Sequence, residues 1–244
     1  MSEIVVKDLL VKYELNKKQE VTAIDHLNAV FSDGDFNVII GPSGCGKSTL
    51  LKTLLGLLPY EGEIKLDGVN IDDYSIGERN FAYVSQDIVL QPQATIFDNI
   101  AYPLRIRGID KKTIVEKVNE IAKDLNIEEC LSRKPRHISI GQAQRVAIAR
   151  ALIKNANFYF FDEPFSNLDK TNRDNCRFLL VDIIRKYRAS VIYVTHSIRE
   201  ATALADNVVV MNEGKIIFTG HPEDLYHTDE QVVITSCSCS ILVM

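Results

Sequence analysis

Eight residues constrain this chain more than any other stretch of it: Gly41-Pro42-Ser43-Gly44-Cys45-Gly46-Lys47-Ser48. They follow a short apolar run, Phe36-Asn37-Val38-Ile39-Ile40, and lead into a segment, 47–58, whose Leu50, Leu51, Leu54, Leu55 and Leu58 fall on one helical stripe before Pro59 stops it. A glycine, four residues and then Gly-Lys-Ser, set between a strand and a helix, is the pattern of a loop that cradles phosphates. Its glycines let the backbone curl until successive N–H groups point inward, and the following helix adds the positive end of its dipole. Pro42, Ser43, Gly44, Cys45 and Gly46 then form the cradle, Lys47 reaches the β- and γ-phosphates, Ser48 ligates a magnesium ion and Thr49 meets a neighbouring phosphate oxygen. The plainer alternative is a glycine-rich turn with an accidental lysine, which the flanking strand and helix disfavour.

The rest of the chain can build a core around that loop. With 244 residues, 46% hydrophobic and 25% charged, it has room for one domain or two small ones. Its 28 basic against 33 acidic side chains give a net charge of −5, which argues against broad electrostatic binding to nucleic acid. Glu3, Lys7 and Asp8 stand where a secretory signal needs an unbroken apolar stretch. No segment approaches the roughly 18 apolar residues needed to span a bilayer, so a membrane role would come through a partner. The five cysteines are odd in number and scattered, and imply a reducing, cytosolic setting rather than a disulfide framework.

Along the chain, 4–13 and 21–31 read as strands joined by a polar connection. Further strands are expected at 63–67, 81–85, 157–161, 190–195 and 207–211, with helices at about 170–187 and after His196. Between 91 and 155 the pattern is helical, with Ile114, Val115, Val118, Ile121, Ala122 and Leu125 spaced three and four apart. Alternating strands and helices indicate an α/β fold with a largely parallel sheet.

The remaining motifs narrow the chemistry. A GTPase would show an Asn-Lys-x-Asp base reader, whereas Asn16-Lys17 is followed by Lys18 and Gln19. Phe158-Tyr159-Phe160-Phe161-Asp162-Glu163 is an apolar strand ending in two acids, placed where parallel sheets bind ligands. There Asp162 would hold magnesium and Glu163 would accept a proton from an attacking water. In isolation the same run could be a strand leaving for a polar loop.

The stretch Ile138-Ser139-Ile140-Gly141-Gln142, continuing to Leu152, resembles the signature motif of ATP-binding cassette ATPases, commonly Leu-Ser-Gly-Gly-Gln. Ile138 and Ile140 depart from that form. Physically the motif is a second helix N-terminus, with a Ser139 hydroxyl and a Gly141 amide available to a γ-phosphate, and Gln142 beside them. The resemblance also implies roles for Gln86 (a glutamine contacting magnesium and the attacking water), for Asp169 in Ser166-Asn167-Leu168-Asp169, and for His196 as a γ-phosphate switch. Tyr13 is the candidate for stacking on adenine. Each has a bland alternative: a loop glutamine, a helix cap, a strand-end histidine, a packing tyrosine.

The resemblance covers about residues 4–226. It implies a P-loop NTPase core of mostly parallel sheet with an N-terminal antiparallel β region and a helical insert. The core would comprise 1–90 and 157–230, the helical signature subdomain 91–156 and a tail 231–244. It further implies two copies, or a homologous ATPase partner, arranged head to tail around two ATP and magnesium. The 93–104 stretch and Arg105 to Gly108 resemble the coupling segment of bacterial importers, especially the sugar-importer-like branch. That implies an integral membrane permease, an external solute-binding protein acting through it, no nucleic acid, and a cytoplasmic place on the inner face of the membrane. Members of that branch usually carry a further regulatory domain, so sugar is a weak expectation from this length. An assembly ATPase without a permease and an export ATPase are the rivals. In the tail, Cys237 and Cys239 are too few for a closed zinc site, and a frayed or β-like terminus is expected.

Overall fold

The computed structural model describes residues 3–16 and 19–226, so the tail with Cys237 and Cys239 lies outside the described residues. The chain divides into two compact units, one from residues up to Phe81 together with those from Ala189 onward, the other Ala82–Arg188.

In the first unit, β1 (Ile4–Asn16) pairs antiparallel with β2 (Gln19–Phe31) and with β4 (Glu61–Leu66), and β5 (Val69–Asn70) closes that sheet at the β4 edge. This is the expected antiparallel region, with both long strands running further into the connection than their apolar residues suggested. A second set of strands centres on β3 (Phe36–Ile40), all five residues of which are buried. It lies in parallel register between β8 (Ser190–Thr195) and β9 (Asn207–Asn212), as continuous apolar runs buried on both faces should. Short helix α6 (Ile198–Leu204) packs on β3 and β8. The sequence reading did not anticipate β10 (Lys215–Gly220), which returns antiparallel on β9. Lys215 pairs with Asn212 across two residues, Glu213 and Gly214, both at positive φ, which is the two-residue hairpin turn that twisted strands favour.

Helix α1 spans Lys47–Leu54, shorter than its leucine stripe implied. Gly56 ends it: at φ 76° it turns left-handed, its N–H bonds to the Thr53 carbonyl at 2.9 Å, and the Leu57 N–H bonds to the Lys52 carbonyl at 2.9 Å. That pair of bonds is a Schellman stop. A side chain at Gly56 would also collide with the buried guanidinium of Arg79 lying across it.

The second unit holds the helical segment expected from the sequence, together with β6 (Phe81–Val84) and β7 (Phe158–Asp162), neighbours in one sheet. Helix α2 (Ile96–Ile106) packs on α3 (Lys111–Asp124) and α4 (Ile140–Leu152), and α4 packs on α5 (Lys170–Tyr187). Ile100, Ala101, Val118, Ala122, Val146 and Ala149 fill the space between the helices. Thr95 and Asp110 cap α2 and α3 by accepting from the N–H three residues on.

Ile39, with no exposed surface between two parallel neighbours, gives a direct test of this core. Ile39→Ala is expected to lower the unfolding free energy by about 2–5 kcal/mol, and Ile39→Val by about 1, measured by urea denaturation.

Candidate functional site

In the first unit the strand register builds the setting of the loop 41–48. Ile40 pairs with Thr195 on one side and Val210 on the other, so Gly41 and His196 leave neighbouring strands at one edge, beside Met211 near the end of β9. This is the carboxyl edge, where open parallel sheets take ligands. The loop is pressed between the strands beside it. A Cβ at Gly41 would collide with the Met211 carbonyl oxygen, and one at Gly46 with that of Ala23; Gly46 also sits at φ 107°. Glycine is therefore required at both places by close approach of backbone. The Gly214 N–H, from the β9–β10 turn, donates to the Cys45 carbonyl at 3.0 Å and ties the loop to that turn.

Lys47 is 5% exposed, and its Nζ donates to the carbonyls of Gly41 and Pro42, each at 2.8 Å. Among the described residues no carboxylate pairs with it. The α1 N-terminus is entered through Gly46, which contributes no side-chain cap. A buried ammonium without a counter-charge, beside helix N–H groups that no side chain caps, suits a polyphosphate. Burial pushes the Cys45 thiol up against the opposing pull of Lys47, so it stays protonated at neutral pH as a small packing group. Tyr13 comes to the same place: its hydroxyl donates to Thr49 Oγ1 at 3.3 Å. Exposed His196 begins a turn fastened by Glu200, whose carboxylate accepts from Thr195 Oγ1 at 2.7 Å and the Tyr193 hydroxyl at 3.0 Å.

The second unit carries the acids. Asp162 is 6% exposed at the end of β7 and accepts from the Tyr83 hydroxyl at 3.4 Å. Burial, then the nearby Asp162 charge, pushes Tyr83 up to about 12, so it remains a donor at any physiological pH. Glu163 adopts φ 44°, a left-handed conformation rare for a side chain of its size. Its carbonyl accepts from both the N–H (3.1 Å) and the hydroxyl (3.0 Å) of Ser166. Gln86 lies exposed just beyond β6, its carbonyl accepting from Asn167 Nδ2 at 3.2 Å. Asp169 caps α5, accepting from the Asn172 N–H at 3.1 Å and from Asn172 Nδ2 at 2.6 Å, and these bonds hold its carboxyl below the usual range.

Ser139 caps α4 in a reciprocal box: its hydroxyl accepts from the Gln142 N–H at 3.2 Å, while Gln142 Oε1 accepts from the Ser139 N–H at 2.9 Å. Gln142 Nε2 donates to Glu129 at 3.2 Å, which turns the side chain toward its own unit. The Ser139 hydroxyl keeps its own hydrogen to give. A side chain at Gly141 would meet nothing closer than Asn172 at 3.6 Å, so no contact within the unit demands glycine there. Ile140 is 61% exposed at this first turn.

Sequence reasoning gave no role of their own to Glu200, Arg173, Asn99 within the 93–104 stretch or Asn167 within the 166–169 motif. Arg173 braces the turn before α5 through the carbonyls of Phe165 and Leu168, and buried Asn99 exchanges bonds with the backbone of Gln91. These residues bind main chain, and no spacing rule announces a side chain that does so.

Residues 24–166 match the family model described as ABC transporter. The sn-glycerol-3-phosphate import ATP-binding protein UgpC of Vibrio cholerae is 40% identical over 232 residues, covering 95% of this chain and 61% of the relative. The oligosaccharides import ATP-binding protein MsmX of Bacillus subtilis is 40% identical over 217 residues, covering 88% and 60%. The chain thus spans about 60% of the length of these curated relatives. Among solved structures, the dimeric ATP-binding cassette MJ0796 in a post-hydrolysis state with ADP and phosphate matches with TM-score 0.80 at 27% identity, covering 90% of this chain and 98% of the other. CbiO1 of Clostridium perfringens, part of the ABC transporter complex cbiONQ, gives 0.81 at 27%, covering 94% and 92%.

The capping box separates what Ser139 does for its helix from anything it does for a ligand. Ser139→Ala is expected to cost about 1 kcal/mol of stability with no ligand present, and Ser139→Thr much less, measured by urea unfolding.

Proposed function

The chain belongs to the ABC transporter family, and from that premise we propose that it is the ATP-hydrolysing subunit of an importer. The observation that carries this reading is the buried Lys47 ammonium at the uncapped start of α1. In this reading the loop 41–49 takes the triphosphate, with Lys47 on its β- and γ-groups, and Tyr13 lies against the base. Glu163 draws a proton from the attacking water, and Gln86 and His196 orient that water and the γ-phosphate. A magnesium ion, when bound, neutralises charge on the phosphate oxygens. Ser48, Gln86 and Asp162 are the residues proposed to hold it. Among the described residues no cluster of three or more His, Cys, Asp or Glu could hold an ion. A hydroxyl, an amide and a carboxylate are the oxygen donors that magnesium takes beside phosphate and water.

Two copies, or this chain and a homologous subunit, close head to tail, each ATP lying between Lys47 of one and the Ser139, Gly141, Gln142 helix start of the other. Asp169, after its cap bonds, faces the same junction. Gly141 supports this arrangement, since a glycine with no internal reason to be one leaves room for another molecule. ATP favours the closed pair and ADP the open one, and that difference in affinity drives the cycle. The core 1–90 and 157–230 would bind nucleotide while 91–156 carries the motion to an integral membrane permease. The subunit then sits on the cytoplasmic face, and a solute-binding protein delivers cargo outside. The printed names of UgpC and MsmX support a hydroxyl-rich cargo, a polyol phosphate or an oligosaccharide.

Glu163→Gln is expected to keep ATP binding, to lower kcat about 100-fold or more, and to accumulate an ATP-bound dimer on size exclusion. Undiminished hydrolysis would remove Glu163 from the base role. Lys47→Ala is expected to weaken ATP binding at least about tenfold by calorimetry. Unchanged affinity would contradict the loop assignment.

A further inference from the structure

Two asparagines fasten the segment that begins at Gln86. At its start, Asn167 Nδ2 donates to the Gln86 carbonyl at 3.2 Å. At its end, the Gln91 N–H donates to Asn99 Oδ1 at 2.7 Å, and Asn99 Nδ2 donates to the carbonyls of Gln91 at 3.2 Å and Thr95 at 2.9 Å. Asn99 is 1% exposed and belongs to α2, so the far end of the segment is anchored in the helical core. Asn167 is exposed and belongs to the turn that starts at Glu163. Ser166 closes that turn onto the Glu163 carbonyl, and Arg173 braces it from α5 at the carbonyls of Phe165 and Leu168. Around that start, the Ser85 hydroxyl donates to the Asp87 carbonyl at 2.7 Å and tightens the chain on either side of Gln86.

We propose that Asn167 is a positioning residue, tying the backbone of Gln86 to the turn that bears Glu163, so that the two side chains reach the attacking water in register. The proposal rests on the ATPase reading above. Asn167 touches no reacting atom in this account; it acts through Gln86. Its amide is suited to that task because it must donate to a carbonyl, which an aspartate of the same shape cannot do. The segment is held by β6, which ends at Val84, and by Asn99 at Gln91, and the bond from Asn167 sets the path of the backbone between them.

The test compares the full chain with Asn167→Ala and Asn167→Asp. Both variants are expected to lower kcat for ATP about tenfold while KM stays within about twofold, the pattern of a misplaced group rather than lost binding. On a Gln86→Ala background the same changes are expected to cost nothing further. Unchanged kcat, or losses that multiply with Gln86→Ala, would overturn the proposal. Hydrogen exchange in the nucleotide-free chain supplies a readout that needs no turnover. The 85–91 segment is expected to exchange severalfold faster in both variants, and unaltered exchange refutes the tie. A wild-type chain that hydrolyses no ATP would sink the functional reading, while the exchange result would still decide whether Asn167 holds Gln86.

Discussion

A positive charge held almost out of water is the interaction around which the first unit is organised. Removing an ammonium from solvent costs several kcal/mol unless other groups replace its hydration. For Lys47 two loop carbonyls supply part of that replacement, and neither carries a charge. The remainder is what an anion would provide. The surroundings serve that end. β3 is buried on both faces and fixed between two parallel partners, so the loop leaves a rigid edge. The backbone of Ala23 and Met211 then crowds it, and the Gly214 N–H ties it down. A loop so confined keeps its N–H groups oriented before any ligand arrives, so little ordering entropy remains to be lost on binding.

The helix starts show the same priority. α2, α3, α4, α5 and α6 each begin with Thr95, Asp110, Ser139, Asp169 or Ser197 accepting from a first-turn N–H. α1 alone among these six begins at a glycine with no side-chain cap. A cap is worth about 1 kcal/mol, so a helix that forgoes one leaves its N-terminal donors to something else. The signature helix takes a middle course. Its cap is complete within the chain, but a serine hydroxyl that accepts one bond can still donate another. Asp169 is different: ionised and acceptor-only, it spends its oxygens on Asn172, and any role at a dimer junction must use the acceptor capacity that these bonds leave.

Much of this was legible in the sequence because it rests on local rules. The loop 41–48 shows itself through glycine, lysine and their neighbours, β8 through a continuous apolar run, α3 through hydrophobic period, and the acids through their place at a strand end. Where expectation and structure parted, the deciding contact was non-local or lay in the backbone. The leucine stripe runs on to Leu58, yet α1 stops because Gly56 turns left-handed under Arg79, 23 residues away along the chain. β10 carries only intermediate and exposed positions, a pattern too weak to read without its partner β9. Glu200 looks like an ordinary first-turn helix residue, and only the fold shows that it is buried and holds Thr195 beside His196. Bonds from Asn99 and Asn167 end on carbonyls, which every residue possesses, so no residue type at the receiving end could point to them.

A further set of bonds that no residue type announces surrounds the backbone at Glu163. A left-handed conformation in a residue with a side chain costs on the order of 1–3 kcal/mol and survives only where the surroundings over-determine it. Here Ser166 holds the carbonyl twice, Arg173 holds the next turn twice, and the buried side chains of Phe165 and Leu168 pin the loop to the core. Burying two large apolar groups contributes enough to offset a strain of that size. What the strain secures is direction. A glutamate in extended backbone at the end of β7 would continue the strand's alternation and could sweep its carboxylate over several rotamers. With the main chain turned back at that residue, the side chain leaves the strand axis along a line chosen by the fold. A carboxylate set in that way starts from a direction that the backbone already fixes.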